Sequence, residues 1–151
     1  MAVNTQINSG NHGYHVISRY SRADLVALNE PELRLATHNR YDSVETLAEK
    51  VGQEIKAKHI SVTRGTNGAI MLDHDNKKIH RVPVLSTKVI DRIGAGDAYL
   101  SLAGICLGGG LSPELSTFAA SAAAAIDVQI VCNRDPINPV DLYKYITTLM
   151  K

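Results

Sequence analysis

The run Asp91-Arg92-Ile93-Gly94-Ala95-Gly96-Asp97-Ala98 puts two glycines and two carboxylates next to an apolar stretch. Glycines on either side of Ala95 let the backbone come close to a ligand. The apolar stretch, Ala98 to Leu107, predicts a helix whose free N–H groups and positive dipole end face that turn. An anion there, such as a phosphoryl group in flight, would be held without a lysine. Asp97, in the first helical turn, could accept a proton from a hydroxyl while the N–H groups hold the phosphoryl oxygens. The same residues also suit a plain strand–turn–helix joint, with Asp97 as dipole partner, and taken alone they leave both readings open.

Two other patches have residue types that could serve such chemistry. Thr63-Arg64-Gly65-Thr66-Asn67-Gly68 is a glycine-punctuated turn that can adopt positive φ. Asn29-Glu30-Pro31-Glu32 places an amide and a carboxylate three residues apart at a helix start, on one side of it. Read singly, the first is a hairpin-like turn and the second a helix cap. Other features carry less. His12 and His15 at i, i+3 have no third metal ligand in view and suit the surface. Tyr143 and Tyr145, flanking Lys144, suit packing. The pattern G-x-x-x-x-G-K-[ST] is absent, which disfavours P-loop chemistry.

The elements that must position these residues follow from pattern and punctuation. Residues 3–11 resemble the tail of a strand entering a loop, and residues 12–20 predict a short helix. Asp24–Leu28 is a short buried strand. Asn29 caps a helix with Pro31 in its first turn, running to about Thr37. Ser43 opens the next helix, with Thr46, Leu47, Val51 and Ile55 along its apolar side, ending near Lys58. Residues 59–63 and 69–73 read as strands around the glycine turn. Residues 74–77 then turn into a strand over 78–82, an antiparallel hairpin, and residues 84–90 extend toward Asp91. Gly108-Gly109-Gly110 ends the apolar helix. Ser112 and Pro113 start an alanine-rich helix to about Val128, expected to pack closely against another element. Asn138-Pro139 caps a last helix to Leu149. Strand–helix alternation, then a hairpin, then helices predicts an α/β sheet with an antiparallel part.

Composition sets the outer limits. The 151 residues suit one domain, and 44% hydrophobic with 21% charged residues is the composition of a soluble globular unit. Sixteen Lys and Arg against fifteen Asp and Glu leave no net field to draw in nucleic acid or an anionic membrane. No Trp and one Phe force a core of Leu, Ile, Val and Ala. No apolar run approaches the roughly 18 residues that span a bilayer. The opening residues lack a secretory pattern, so a cytoplasmic location is expected. Cys106 and Cys132 cannot form a disulfide framework and are expected as buried thiols in a reducing compartment.

Together, Asp91, Gly94, Ala95, Gly96 and Asp97 resemble the signature of the ribokinase-like carbohydrate kinases, the PfkB family. Asn29-Glu30-Pro31-Glu32 resembles the family's Asn-x-x-Glu motif after a strand. Residues 63–68 resemble its Thr-x-Gly-x-x-Gly nucleotide loop. The order and approximate spacing of all three agree, and the resemblance covers nearly the whole chain. It implies a three-layer α/β fold with a mixed sheet flanked by helices. It also implies transfer of the γ-phosphoryl of MgATP to a hydroxyl of a sugar or sugar phosphate. By the same resemblance Asp97 would be the general base, and the N–H groups of Gly94, Ala95 and Gly96 the anion hole. Asn29 and Glu32 would organise Mg²⁺ and its waters. Thr63, Gly65 and Gly68 would line the triphosphate and ribose, and Asn133 would lie near the adenine within Val128–Asn133. A monovalent cation is a further cofactor the resemblance allows.

The chain departs from the family in three ways. Arg92-Ile93 stands where a Thr commonly precedes the Gly-Ala-Gly-Asp run, and residues 128–133 match only loosely. Family members are also about twice as long, and the half not represented carries the sugar-binding strands and the lid. Residues 3–17 with 28–36 resemble a subgroup fused to a nucleotidyltransferase-like domain, allied to heptose-phosphate kinases. The expected function is therefore the nucleotide-binding and catalytic-base half of a sugar kinase, with all 151 residues one unit. The alternative is a non-catalytic module that binds nucleotide or acts through assembly. Self-association or a missing N-terminal half is expected to complete the sheet.

Overall fold

Short runs rich in Val, Ile, Leu and Ala, separated by polar turns, make one five-stranded sheet. The computed structural model describes residues 1–7, 10–11, 13–86 and 88–151, residue 133 by its backbone alone. Strands β1 (Ala2–Val3), β2 (Ala23–Asn29) and β3 (Ala57–Thr63) run parallel, and β4 (Ala69–Asp73) and β5 (Lys78–Val82) continue the sheet antiparallel, in the order β1-β2-β3-β4-β5. Asn29 pairs with Thr63 and Thr63 with Ala69, so two of the sequence patches lie side by side where β2 and β3 end.

Five α-helices flank the sheet: α1 (Glu30–Thr37), α2 (Val44–Glu54), α3 (Ala95–Gly108), α4 (Pro113–Asp127) and α5 (Pro139–Leu149). Side-chain oxygens of Asn29, Ser43, Ser112 and Asn138 accept a backbone N–H in the first turns of α1, α2, α4 and α5. The expected start signals are the ones used there. The sheet separates two cores. Leu33 of α1 and Val44, Leu47, Ala48 and Val51 of α2 pack on the face of Val26, Leu28, Ile60 and Val62. Tyr99 and Ala103 of α3 and Ala120 of α4 pack on the other face, against Leu25, Ala27, Ala69 and Met71. Alternation along each strand produces this split, since successive side chains point to opposite faces. The buried side of α4 is mostly Ala (120, 122, 123, 125), which lets it lie close to its neighbours. The result is the expected mixed sheet between helical layers.

Four expectations need correction. Among the described residues of 12–20, which are 13–20, there is a 3₁₀ turn, Ile17–Arg19, in place of a helix. Helix α2 stops at Glu54, and β3 begins at Ala57, because Lys56 takes φ 50°, which breaks the helix. The cysteines are not both buried. Cys106 is half-buried and Cys132 is exposed; at φ 51° it sits in a left-handed turn at the surface, not in the apolar run its neighbours suggest. His12 lies outside the described residues, and His15 Nε2 is 3.2 Å from the Tyr20 hydroxyl. No described helix is long and apolar enough to cross a membrane.

Candidate active site

Helix α3 starts differently from the others. Its N-cap is Gly94 at φ 93°, a left-handed residue with no side chain to fold back on the first turn, and no side-chain cap is present. The first intrahelical bond runs from the Ala98 N–H to the Gly94 carbonyl, 2.9 Å. The N–H groups of Ala95, Gly96 and Asp97 therefore point out of the helix end, where the dipole is positive. A Cβ built on Gly96 would meet nothing within 4 Å, so the space over the turn is open. The residue that needs glycine's conformational freedom is Gly94; Gly96 leaves room for a ligand. Asp97 is exposed and lies in the first turn of α3.

The segment leading into the turn is clamped. Asp91 Oδ1 accepts the Ile93 N–H at 3.0 Å, and Oδ2 accepts the Cys132 N–H at 2.9 Å. These bonds hold its carboxyl below the ordinary aspartate value. The N–H groups of Ile90 and Asp91 both donate to the Val128 carbonyl, 2.8 and 3.1 Å. The corner after α4 thus fixes the approach to Gly94. Arg92, the departure from the family pattern, is exposed.

Asn29 and Glu32 form a reciprocal cap. Asn29 Oδ1 accepts the Glu32 N–H, and Glu32 Oε2 accepts the Asn29 N–H, both at 2.8 Å. Glu32 also feels the charge of Asp97. Burial raises its carboxyl above the ordinary glutamate value and the negative charge of Asp97 adds to this, against N–H donors of Asn29 and Ile7 that pull it down. The Asp97 charge reaches Glu32 strongly enough to shift it. Two carboxylates of that kind are the donor type Mg²⁺ takes, binding through one or two carboxylates with waters and phosphates. Among the described residues no three His, Cys, Asp or Glu side chains form a metal-binding group.

Thr63 ends β3, and the loop after it is a 3₁₀ turn, Gly65–Asn67, closed by the Arg64 N–H on the Gly68 carbonyl at 2.8 Å. A Cβ on Gly68, at φ 76°, would lie 2.1 Å from the Val82 carbonyl oxygen, so no other residue fits. Arg64 Nε reaches Glu30 Oε2 at 3.2 Å, and Arg34 Nη2 holds the other oxygen of Glu30 at 2.7 Å. This chain of ion pairs ties the loop to the start of α1. Asn133 lies just after Cys132 in the 3₁₀ turn Val131–Asn133, and its side chain is outside the described residues.

The site also contains groups the sequence patterns did not single out. Asp127, the last residue of α4, is 6% exposed, and its Oδ2 has no hydrogen-bond partner among the described residues. Burial raises its carboxyl above the ordinary value, and Asp97 and Asp91 raise it further. It was hidden as one polar letter at the end of an alanine run. Beneath the turn, Tyr99 and Ser61 share a buried hydroxyl contact of 2.6 Å.

A mixed five-stranded sheet between helical layers, with a glycine turn at an uncapped helix start, is an α/β fold of the ribokinase type. The chain belongs to the pfkB family of carbohydrate kinases, whose profile matches residues 13–138. Among curated relatives, the bifunctional protein HldE of Nitrobacter hamburgensis is 33% identical over 112 residues, covering 72% of this chain and 23% of that protein. Ribokinase from Thermotoga maritima superposes with a TM-score of 0.71 at 23% identity, covering 82% of this chain and 42% of that one. Phosphofructokinase-2 from Escherichia coli in complex with potassium gives 0.75 at 21% identity, covering 89% and 43%. The chain therefore spans about a quarter of the HldE protein and under half of these solved kinases.

Proposed function

We propose that this chain is the nucleotide-binding and catalytic-base half of an ATP-dependent sugar kinase, its 151 residues forming one unit. The observation that carries this reading is the uncapped start of α3, with Asp97 in its first turn. Asp97 takes the proton of the acceptor hydroxyl as that oxygen bonds to the γ-phosphorus, and the bond from phosphorus to the β–γ bridging oxygen breaks, releasing ADP. The N–H groups of Ala95 and Gly96, with the Gly94 turn, hold the phosphoryl oxygens while charge moves across them. Thr63, Gly65 and Gly68 border the phosphates and ribose, and Asn133 borders the base. Asn29 and Glu32 would organise Mg²⁺ and its waters, and the metal would supply charge that neutralises the phosphates. Potassium is the monovalent ion to include, given the potassium-bound neighbour. The acceptor is a sugar or a sugar phosphate. The HldE likeness makes heptose phosphates the first acceptors to try. A cytoplasmic location fits the use of ATP.

A second reading, a module that binds nucleotide without turnover, has its own support: the solved kinases are more than twice as long as the segment matched. An acceptor hydroxyl must be held within reach of Asp97, and positioning supplies most of the rate in such transfers. We expect the 151-residue chain alone to bind MgATP weakly, to self-associate, and to phosphorylate no sugar until a complementary N-terminal half is added. ATP titration, light scattering and a sugar-panel assay with and without that half test this. Turnover by the isolated monomer would refute the half-site reading, and absence of ATP binding would refute the nucleotide role.

A further inference from the structure

The catalytic turn rests on a buried row of hydroxyls. Tyr99 is two residues beyond Asp97 on α3, and Ser61 is two residues before Thr63 on β3. Tyr99 is 1% exposed, and Ser61 and Thr117 are 0% exposed. The hydroxyls of Tyr99 and Ser61 are 2.6 Å apart, Ser61 Oγ donates to the Ile70 carbonyl at 3.1 Å, and Thr117 Oγ1 donates to the Pro113 carbonyl at 2.6 Å. Burial pushes the Tyr99 phenol up to about 12, so it stays protonated. With the Ser61 and Thr117 protons directed at carbonyls, the Tyr99 proton goes to Ser61. Each hydroxyl then has a defined role, which is the condition for a buried polar network to specify one arrangement. Phenylalanine would fill the same volume, so packing does not require the phenol oxygen.

What the oxygen adds is register. Alternation along β3 puts Ser61 and Thr63 on one face, the face under α3. Sliding α3 along the sheet would stretch the 2.6 Å contact, a short directional bond that weakens steeply with misalignment. Apolar contacts of Tyr99 with Ala27, Ala69 and Met71 permit such a slide. The start of α3 has no side-chain cap of its own to fix it. We infer that the Tyr99–Ser61 hydroxyl pair is a positioning link that locks the Gly94–Asp97 turn at one distance from the Thr63–Gly68 loop. This rests on the proposed function for its purpose, but its structural content is tested separately.

The test uses the 151-residue chain with Tyr99→Phe, Ser61→Ala, the double variant, and Ile55→Val in the opposite core as a control for lost stability. Amide hydrogen exchange of Ala98 and Tyr99, the first bonded amides of α3, is read by NMR, with the ATP dissociation constant in Mg²⁺ alongside. Each single variant is expected to speed exchange at Ala98 and Tyr99 about tenfold, to leave residues 120–124 of α4 unchanged, and to weaken ATP several-fold. The double variant should match the singles, because each breaks the same link. Exchange rising no more at α3 than in Ile55→Val, or additive effects in the double variant, would overturn the link. If the unaltered chain binds no ATP, the nucleotide reading fails, and the link is judged on exchange alone.

Discussion

Asp127→Asn should stabilise the protein, and the structure says by roughly how much. The carboxylate closes α4, where the helix dipole is negative and no basic residue sits in the last turn. It is 6% exposed with Oδ2 unpartnered, and after burial itself, Asp97 and Asp91 push its proton affinity up. An unsatisfied buried oxygen costs about 1–3 kcal/mol, and a charge of the wrong sign at a helix end adds about 0.3–1 kcal/mol. Asparagine keeps the shape, removes the charge, and offers an N–H₂ to the neighbouring carboxylates. A net gain of about 1–2 kcal/mol at pH 7 follows, or roughly 3–6 °C in Tm for a chain of this size. The sign of the pH dependence is fixed. The folded carboxyl holds its proton to higher pH than the unfolded one, so the native state binds more protons in between, and stability falls as pH rises. Below the unfolded value of about 3.9 the penalty is absent; it grows through the raised native value and is complete above it. Thermal unfolding of both proteins from pH 4 to 8 should show curves that meet at the acid end and separate toward neutrality. A constant gap across that range, or a lower Tm for Asp127→Asn at pH 7, would refute the account of an unpaired carboxylate.

Three further expectations concern the kinase assembled with its complementary half. Asp97→Asn should lower kcat about 10²–10⁴-fold with ATP affinity nearly intact, since the amide cannot take the hydroxyl proton; near-normal turnover would remove the base. Gly96→Val should fold, because the space over Gly96 is open, and should fail in transfer and weaken ATP by filling that space; full activity would remove the anion hole. Glu32→Gln should raise the Mg²⁺ requirement more than the KM for sugar, measured by titration at saturating ATP; an unchanged Mg²⁺ curve would leave Glu32 as a helix cap alone.

The legible parts of this fold are those written in local chemistry. Asn29 before Glu30-Pro31, Ser43, Ser112 before Pro113 and Asn138 before Pro139 each announced a helix start that the structure uses. Strands β2 to β5 are short runs between turn residues, and two of the three sequence patches, at Asn29 and at Thr63, end side by side at one end of the sheet. What escaped depends on tertiary placement. The end of α2 turns on one left-handed lysine, Lys56, whose side chain carries no such signal. Residues 12–20 have helix-compatible composition but too little buried surface to pay for more than a 3₁₀ turn. Apolar neighbours implied burial for Cys132, yet its left-handed backbone leaves it at the surface. Asp127 and Tyr99 gain their meaning only when α3 and α4 are laid on the sheet, which no local spacing predicts.

The two helix starts at the site divide the electrostatic work. At α1 the cap is closed: Asn29 and Glu32 satisfy each other's backbone N–H groups, and Glu32 brings a negative charge to the site. At α3 the cap is left open, and its N–H groups face outward. Under the proposed function, an anionic phosphoryl group would be drawn to the open start and repelled by Glu32 and Asp97, and a divalent cation would offset that repulsion. The observed cap and the proposed metal role of Glu32 are compatible. One carboxylate oxygen accepts the Asn29 N–H, and a carboxylate has further lone pairs for a metal-bound water. The raised proton affinity of Glu32 comes first from burial, with the charge of Asp97 adding to it. The closed cap at α1 contributes negative charge and the open start of α3 a positive dipole end, and the proposed phosphoryl site uses both.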